Sequence, residues 1–275
     1  MSLLIEAVLH IACKALNKHK GSDLPGKRCM VFFDVSGLGQ RRKHIAAHGG
    51  HLVEHHEAEA LLGERSARAD EGARQSELGE LTRVGAALTT ERNLSALLDM
   101  ILTQARRITG SDAGSIYLAD ADSRLEDGTP QTLRFKFAQN ATLPDLPLTE
   151  FTVQVDHASL AGYAAATGEP LVIADVYLLP DDVSYRQNRS FDESLGYRTK
   201  SMLVIPMKTH KDEVIGVLQL INRKRNADAR LVDHAAVERE VIAYDARSVG
   251  LVTALTSQAA VAIENSQLYA SIERL

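Results

Sequence analysis

Apolar positions between residues 94 and 108 recur three and four apart: Leu94, Leu97, Leu98, Ile101, Ala105 and Ile108. That spacing predicts an amphipathic helix, closed by Gly110. Periodicity then switches to strands. SIYLA (115–119) reads as one, and LRFKFA (133–138) alternates, with Leu133, Phe135 and Phe137 on one face and Arg134 and Lys136 on the other. FTVQV (151–155) follows. Ser159 is placed to cap a short helix, SLAGYAAATG, that ends at Gly168, and LVIAD (171–175) is a further strand.

The stretch NRSFDESLGYRTKSMLVIPM (188–207) passes within a few residues from polar loop to apolar strand. A THKDE turn and VIGVLQLIN follow, so strands 201–207 and 214–221 should form an antiparallel hairpin. Both are apolar at nearly every position, which requires cover on both faces of the sheet. Pro206 then belongs at an edge or a bulge. A long helix is expected from Ser248 to the end. The order of elements implies an α+β fold: an antiparallel sheet with helices packed on both faces and long flanking helices at either end.

The terminal helix carries two apolar faces. Leu255, Ala259, Ala262 and Ile263 form one, suited to pack on the sheet. Leu251, Ala254, Gln258, Val261, Asn265, Leu268, Ile272 and Leu275 form the other, spaced alternately three and four apart. A helix that only covers its own core needs one stripe, so the second suggests a parallel homodimer.

Residues 1–75 follow a different pattern. Leu3 to Leu16 is spaced as a helix, CMVFFDV (29–35) reads as a buried strand, and GGHLVEH allows a partial strand–helix–strand unit. GERSARADEGARQSE (63–77) suggests a linker helix. The expected boundary lies near Ser76, with an N-terminal segment 1–75 of unknown role and a domain at 76–275.

Charge separates the same parts. Residues 1–75 hold 11 Lys and Arg against 9 Asp and Glu; residues 76–275 hold 20 against 27. The larger part shows no basic stripe, which argues against nucleic acid as a partner. No apolar run approaches the length of a membrane span, and the start, MSLLIEAVLH, makes a poor secretory signal. Cys13 and Cys29 are far from metal-type spacing and point to a reducing compartment, the cytoplasm.

Taken together, ELTRVGAALTTERNLSALLDMIL, DAGSIYL, SLAGYAAATGEPLVIADVY, NRSFDESLGYRTKSMLVIPM, GVLQLINRK and LTSQAAVAIENSQLY resemble a GAF domain. The likeness is to those preceding bacterial HD-GYP phosphodiesterase domains. It covers residues 78–275. It implies that the segment before the hairpin forms the wall and lid of a small-molecule pocket, and it assigns ligand-binding positions to Ser115, Ala161, Asp192 and Thr199. It also implies a regulatory module that passes a signal to a C-terminal output domain.

The chain departs from the cyclic-nucleotide-binding members. Leu195 stands where they often have Thr, before Gly196 and Tyr197. Arg223 replaces Lys after Asn222, Tyr244 stands for Phe, and Ser248 and Val249 occupy the Asp-Glu positions. The Lys–Asp pair that closes their pocket cannot form as it does in them. The ligand is therefore unidentified, and a structural dimerisation module with a filled pocket is the rival reading.

Other chemistry finds little support. His44 and His48 are four apart on a possible helix, with His51, His55 and His56 after them, but no cysteine or ordered carboxylate completes a metal site. His157 stands alone beside a helix cap and reads as structural. Asp192 and Glu193 read as loop carboxylates rather than a catalytic pair. Residues 78–275 contain no cysteine for redox chemistry or for a thioether-linked bilin, and the His-Asp and Gly-Tyr-Pro signatures of the phosphodiesterase are missing. No enzyme, metal or cofactor is assigned. Tyr185, Phe191 and Tyr197 could either pin the lid or stack on a ligand.

Overall fold

His48, Gly49 and Gly50 link two short runs by a hairpin-length connection. In the computed structural model the runs pair antiparallel, β2 (His44–Ala47) with β3 (His51–Glu54), and β1 (Met30–Val31) pairs with β2 on its other side. The structure describes residues 30–31, 44–47, 51–54, 79, 82–120, 123–125, 128–145 and 150–273. The chain separates into two compact units, Met1–Gly79 and Glu80–Leu275. In the first, the described elements are these three strands; the stretch between β1 and β2, where the helix of a strand–helix–strand unit would fall, lies outside the described residues. His44 starts a strand, so it is not on a helix with His48. The expected helices at 3–16 and 63–77 lie outside the described residues.

The second unit opens with a helical stretch at 82–90 that buries Val84 and Leu88. It runs beside the terminal helix in the same direction, with Gly85 against Gln258 and the Arg92 carbonyl accepting from Ser266 at 2.8 Å. A Cβ at Gly85 would lie 2.2 Å from Gln258 Oε1, so a larger residue there would displace the Gln258 side chain.

Asn93 then caps α1 (Leu94–Thr109) by accepting from the Ala96 amide at 3.0 Å, and Gly110 ends it at φ 69°. Strands β4 (Ser111–Ala119), β5 (Thr132–Asn140) and β6 (Thr152–Gln154) follow, then α2 (Leu160–Thr167) and β7 (Leu171–Ile173). Ser159 caps α2 and Gly168 ends it. After a short turn of 3-10 helix at Val176–Leu178 come α3 (Ser190–Leu195), the hairpin β8 (Met202–Lys208) and β9 (Val214–Arg223), α4 (His234–Glu240) and α5 (Ala246–Ile272).

The six strands form one antiparallel sheet in the order β6-β5-β4-β9-β8-β7. One face is covered by α1, α5 and the 82–90 stretch, through Leu97, Ile101, Leu203, Leu218, Leu255 and Ile263. The other is covered in part by α2, through Leu133, Met202, Val204, Val217 and Ala164. The hairpin is thus buried from both sides. Pro206 pairs with Val217 of β9, while β7 pairs with β8 only as far as Val204, so Pro206 needs no second partner strand.

One face assignment is corrected by the register. Ile116 opposes Phe137 and Tyr117 opposes Phe135, which leaves Lys136 as a bulge. The extra residue inverts the alternation. Leu133 and Phe135 stay on the α2 side, while Phe137 packs on the α1 side.

Leu218 is fully buried where α1 and α5 meet the sheet. Leu218→Ala is expected to cost about 2–5 kcal/mol in a urea melt. A loss below roughly 1 kcal/mol would show that this face is open to water.

By length and composition α5 would suffice to cross a membrane, with mean hydropathy 1.2. Here its Val252, Leu255, Ala259 and Ile263 lie in the domain core.

Candidate functional site

The face of the sheet that α2 covers incompletely holds a cavity of about 280 Å3. Its floor comes from the first half of β4, with β5, β8 and β9 beside it, and one wall is the start of α2. After Leu160, the buried surface of α2 is made of small residues, Ala161, Gly162, Ala164 and Ala165, and Leu160 and Ala161 face the cavity. Segment 186–199 closes the cavity, contributing Arg186, Gln187, Asn188, Phe191, Tyr197 and Thr199. This lid is fastened at its start, where the Arg186 amide donates to the Ala158 carbonyl at 2.9 Å.

Three of the four expected positions meet here. Ser115, Ala161 and Thr199 line the cavity; Asp192 does not. Asp192 is 3% exposed and accepts three hydrogen bonds at 2.8 Å, from the Thr199 amide, the Thr199 hydroxyl and the Tyr177 hydroxyl. Its carboxylate braces the lid and sets Thr199 in place. With its proton given to Asp192, the Thr199 oxygen can only accept from a ligand.

Gln219, opposite Ser115 in the sheet, accepts from the Ser115 hydroxyl at 3.3 Å and is 7% exposed. Its amide N–H groups have no hydrogen-bond partner among the described residues. Burial pushes Tyr117 up to about 12, against a smaller lowering from Ser115, so its phenol stays neutral. Phe135 and Phe151 stack at 4.8 Å and give the cavity an aromatic side. Arg186 is the one charged side chain among the lining residues, and its guanidinium donates to the carbonyls of Val183, Tyr185 and Asp181.

The three lid aromatics divide. Tyr185 packs against Tyr163 of α2 at 4.8 Å, and Tyr197 is 5% exposed, so both pin the lid. Phe191 is 46% exposed and lines the cavity. His157 lies on the surface against Tyr163, away from the cavity lining.

Beneath the lid is a buried polar cluster. Lys224 Nζ pairs with Asp112 at 3.1 Å, with side-chain exposures of 3% and 0%. Tyr197 donates its hydroxyl proton to Asp112 at 2.8 Å and accepts from Asn222 Nδ2 at 3.1 Å. Burial, then the Asp112 charge, raises Tyr197 well above the usual phenol value. Asn222 holds φ 57°, a left-handed conformation that asparagine tolerates, and its side chain reaches the Arg198 carbonyl and the Lys200 amide. A buried Lys–Asp pair therefore exists, but between Lys224 and Asp112. Arg223, at the family's Lys position, instead pairs with Asp245 at 2.9 Å, three residues before Ser248.

A family model described as the GAF domain matches residues 93–263. The chain belongs to the GAF domain family. A GAF domain is a regulatory module rather than a catalytic one, and it senses small molecules.

Curated relatives of this GAF domain include the dual 3',5'-cyclic-AMP and -GMP phosphodiesterase 11 of Drosophila melanogaster, 30% identical over 139 residues, which are 50% of this chain. The dual 3',5'-cyclic-AMP and -GMP phosphodiesterase 11A of Takifugu rubripes is 27% identical over 193 residues, 67% of this chain. The matches span 9% and 18% of those proteins. Among solved structures, the GAF domain of an Acinetobacter phosphoenolpyruvate-protein phosphotransferase aligns with a TM-score of 0.49 and 16% identity, over 71% of this chain and 98% of that one.

Among the described residues no group of three His, Cys, Asp or Glu is arranged to hold a metal ion.

Proposed function

We propose that residues 76–275 form a cytoplasmic GAF sensor that binds a small molecule between sheet and lid and relays its presence through α5 in a parallel homodimer. The observation that carries this reading is the 280 Å3 cavity, closed by the lid and lined by Ser115, Ala161 and Thr199. The output domain to which it signals is of the HD-GYP phosphodiesterase type, on the strength of the sequence motifs alone, and residues 1–75 have no assigned role.

The lining describes the ligand. It offers amide donors from Gln219, an acceptor at Thr199, aromatic faces, no carboxylate, and one arginine already engaged by its own loop. It suits a compact, weakly charged molecule with a hydrogen-bond acceptor at one edge. A phosphate has no unengaged side-chain cation to meet in this cavity.

The relatives' names raise cyclic nucleotides as a second reading. The replacements at Leu195, Ser248 and Val249 oppose it. Calorimetry is expected to show no cyclic GMP binding at about 10 μM, which corresponds to roughly −7 kcal/mol. Tight binding would overturn this exclusion.

A thermal-shift screen of neutral and anionic metabolites tests the ligand reading itself. Compounds that stabilise the wild type should lose their effect in Ala161→Leu, whose added bulk fills the cavity. Equal shifts in both proteins would place binding elsewhere.

The dimer rests on α5. Val261, Leu268 and Ile272 are 43%, 60% and 57% exposed, and Asn265 is exposed with them, while Val252, Leu255, Ala259 and Ile263 are buried. The second stripe is thus free over its C-terminal half. At its start it is in use: Leu251 packs on the core, and Gln258 lies against Gly85.

A further inference from the structure

Behind the lid lies a second hollow of about 250 Å3, walled by α3 on one side and by Leu231, Asp233, His234 and Val237 around α4 on the other. Phe191 lines the cavity, whereas Asp192 and Glu193 line the hollow. At 100° per residue, Phe191 and Glu193 project from nearly opposite sides of a helix. So α3 is a thin partition with open volume on both faces, the two spaces being of similar size. Tyr197 borders both.

We infer that α3 swings outward into this hollow to open the cavity, turning about Tyr197. The inference rests on the reading that the cavity takes a ligand. Tyr197 is the fixed point because its hydroxyl is held by Asp112 and Asn222 in the buried cluster. Gly196, just before it, holds φ 63°, and nothing lies within 4 Å of where a Cβ would be. Glycine there serves the backbone turn, not a close contact. At the other end of α3, Arg189 makes no side-chain capping bond, and the helix has only six residues. The front of the partition is held by the Ser190 amide donating to the Asn188 side chain at 3.0 Å and by Arg189 over the Tyr177 ring, contacts to side chains rather than to the sheet.

The latch is Asp192. Two of its bonds, to Thr199, close the turn that follows α3. The third, from Tyr177, crosses to the segment after β7. The guanidinium groups of Arg189 and Arg198 lie 4.6 and 4.5 Å from the centre of the Tyr177 ring and hold it in place. Tyr177 also borders the hollow, so this 2.8 Å bond ties α3 to the hollow's own wall and must give way when α3 turns past it.

A thiol placed in the cavity reads the motion directly, without a ligand. In the full chain with Cys13→Ser and Cys29→Ser, Ala161→Cys puts a small thiol where the native side chain is 3% exposed. Labelling by N-ethylmaleimide, followed by mass spectrometry, then reports opening.

His234 lines the hollow with a side chain 64% exposed, so His234→Trp can occupy the space without entering the core. It is expected to slow labelling about tenfold, and Tyr177→Phe, which removes one bond to a charged group, to speed it about tenfold. Unchanged thermal melting would confirm that both variants stay folded.

If His234→Trp leaves the labelling rate as it was, the swing is wrong. If the shifts occur but no compound stabilises the protein, the swing stands and the ligand reading fails.

Discussion

Replacing Lys224 by alanine is expected to cost the domain about 3–5 kcal/mol, the penalty for breaking a buried ion pair from one side. Asp112 is fully buried, and Lys224 is its ion-pair partner at 3.1 Å, while the Arg106 guanidinium donates to its backbone carbonyl. Without the ammonium, the carboxylate keeps the Tyr197 hydroxyl but loses its direct ion-pair partner at a fully buried position. The loss would not stay local. Lys224 also donates to the Ala229 carbonyl, and Tyr197 anchors the lid, so β4, the end of β9 and the lid all depend on this pair. Removing both charges, with Asp112→Asn and Lys224→Met, should recover much of the loss, because a neutral amide is far cheaper to bury than a lone carboxylate. Urea melts of the two single variants and the double variant give the coupling directly. A loss below about 1 kcal/mol for Lys224→Ala would mean that the pair is hydrated.

The second large effect concerns assembly. Leu268→Lys combined with Ile272→Lys should abolish the dimer and leave the GAF core folded. Both side chains are more than half exposed in the single chain, so lysine there costs the monomer little. In a parallel pair the same positions meet their counterparts across the two-fold axis. Each chain would then bring two ammonium groups into an apolar seam, and desolvation and repulsion would act together. Sedimentation at about 10–50 μM should give a dimer for the wild type and a monomer for the double variant, since association at such concentrations follows mass action. Two monomers would show that the exposed stripe is not a seam.

Much of the fold was legible because local signals agreed with one another. Asn93 and Gly110 bracket α1, Ser159 and Gly168 bracket α2, and the apolar hairpin announced a sheet covered on both faces. Phe137 was misplaced because a bulge leaves no mark in a strictly alternating run such as LRFKFA; only the register with β4 shows it. The spacing of His44 and His48 suggests a helix, whereas Gly49 and Gly50 favour the hairpin that the structure contains.

The site was harder to read. Ser115, Ala161 and Thr199 reach one cavity from three separate elements, and motif position alone suggested them. Asp192 was a fair candidate by residue type, but its oxygens are spent inside the protein. Gln219 is silent in the sequence, because glutamine inside an apolar strand gives no signal until its neighbour across the sheet is known. The pair of Lys224 and Asp112 was missed for the same reason: their separation in sequence hides a contact that only the packing of β4 against β9 creates.

The central claim is that the cavity between lid and sheet holds a small molecule. Native mass spectrometry of the purified full chain tests it most directly. The account predicts a dimer with added mass on each chain, released on denaturation and missing from Ala161→Leu. A wild type that carries no added mass, or the same added mass on wild type and Ala161→Leu, would contradict it.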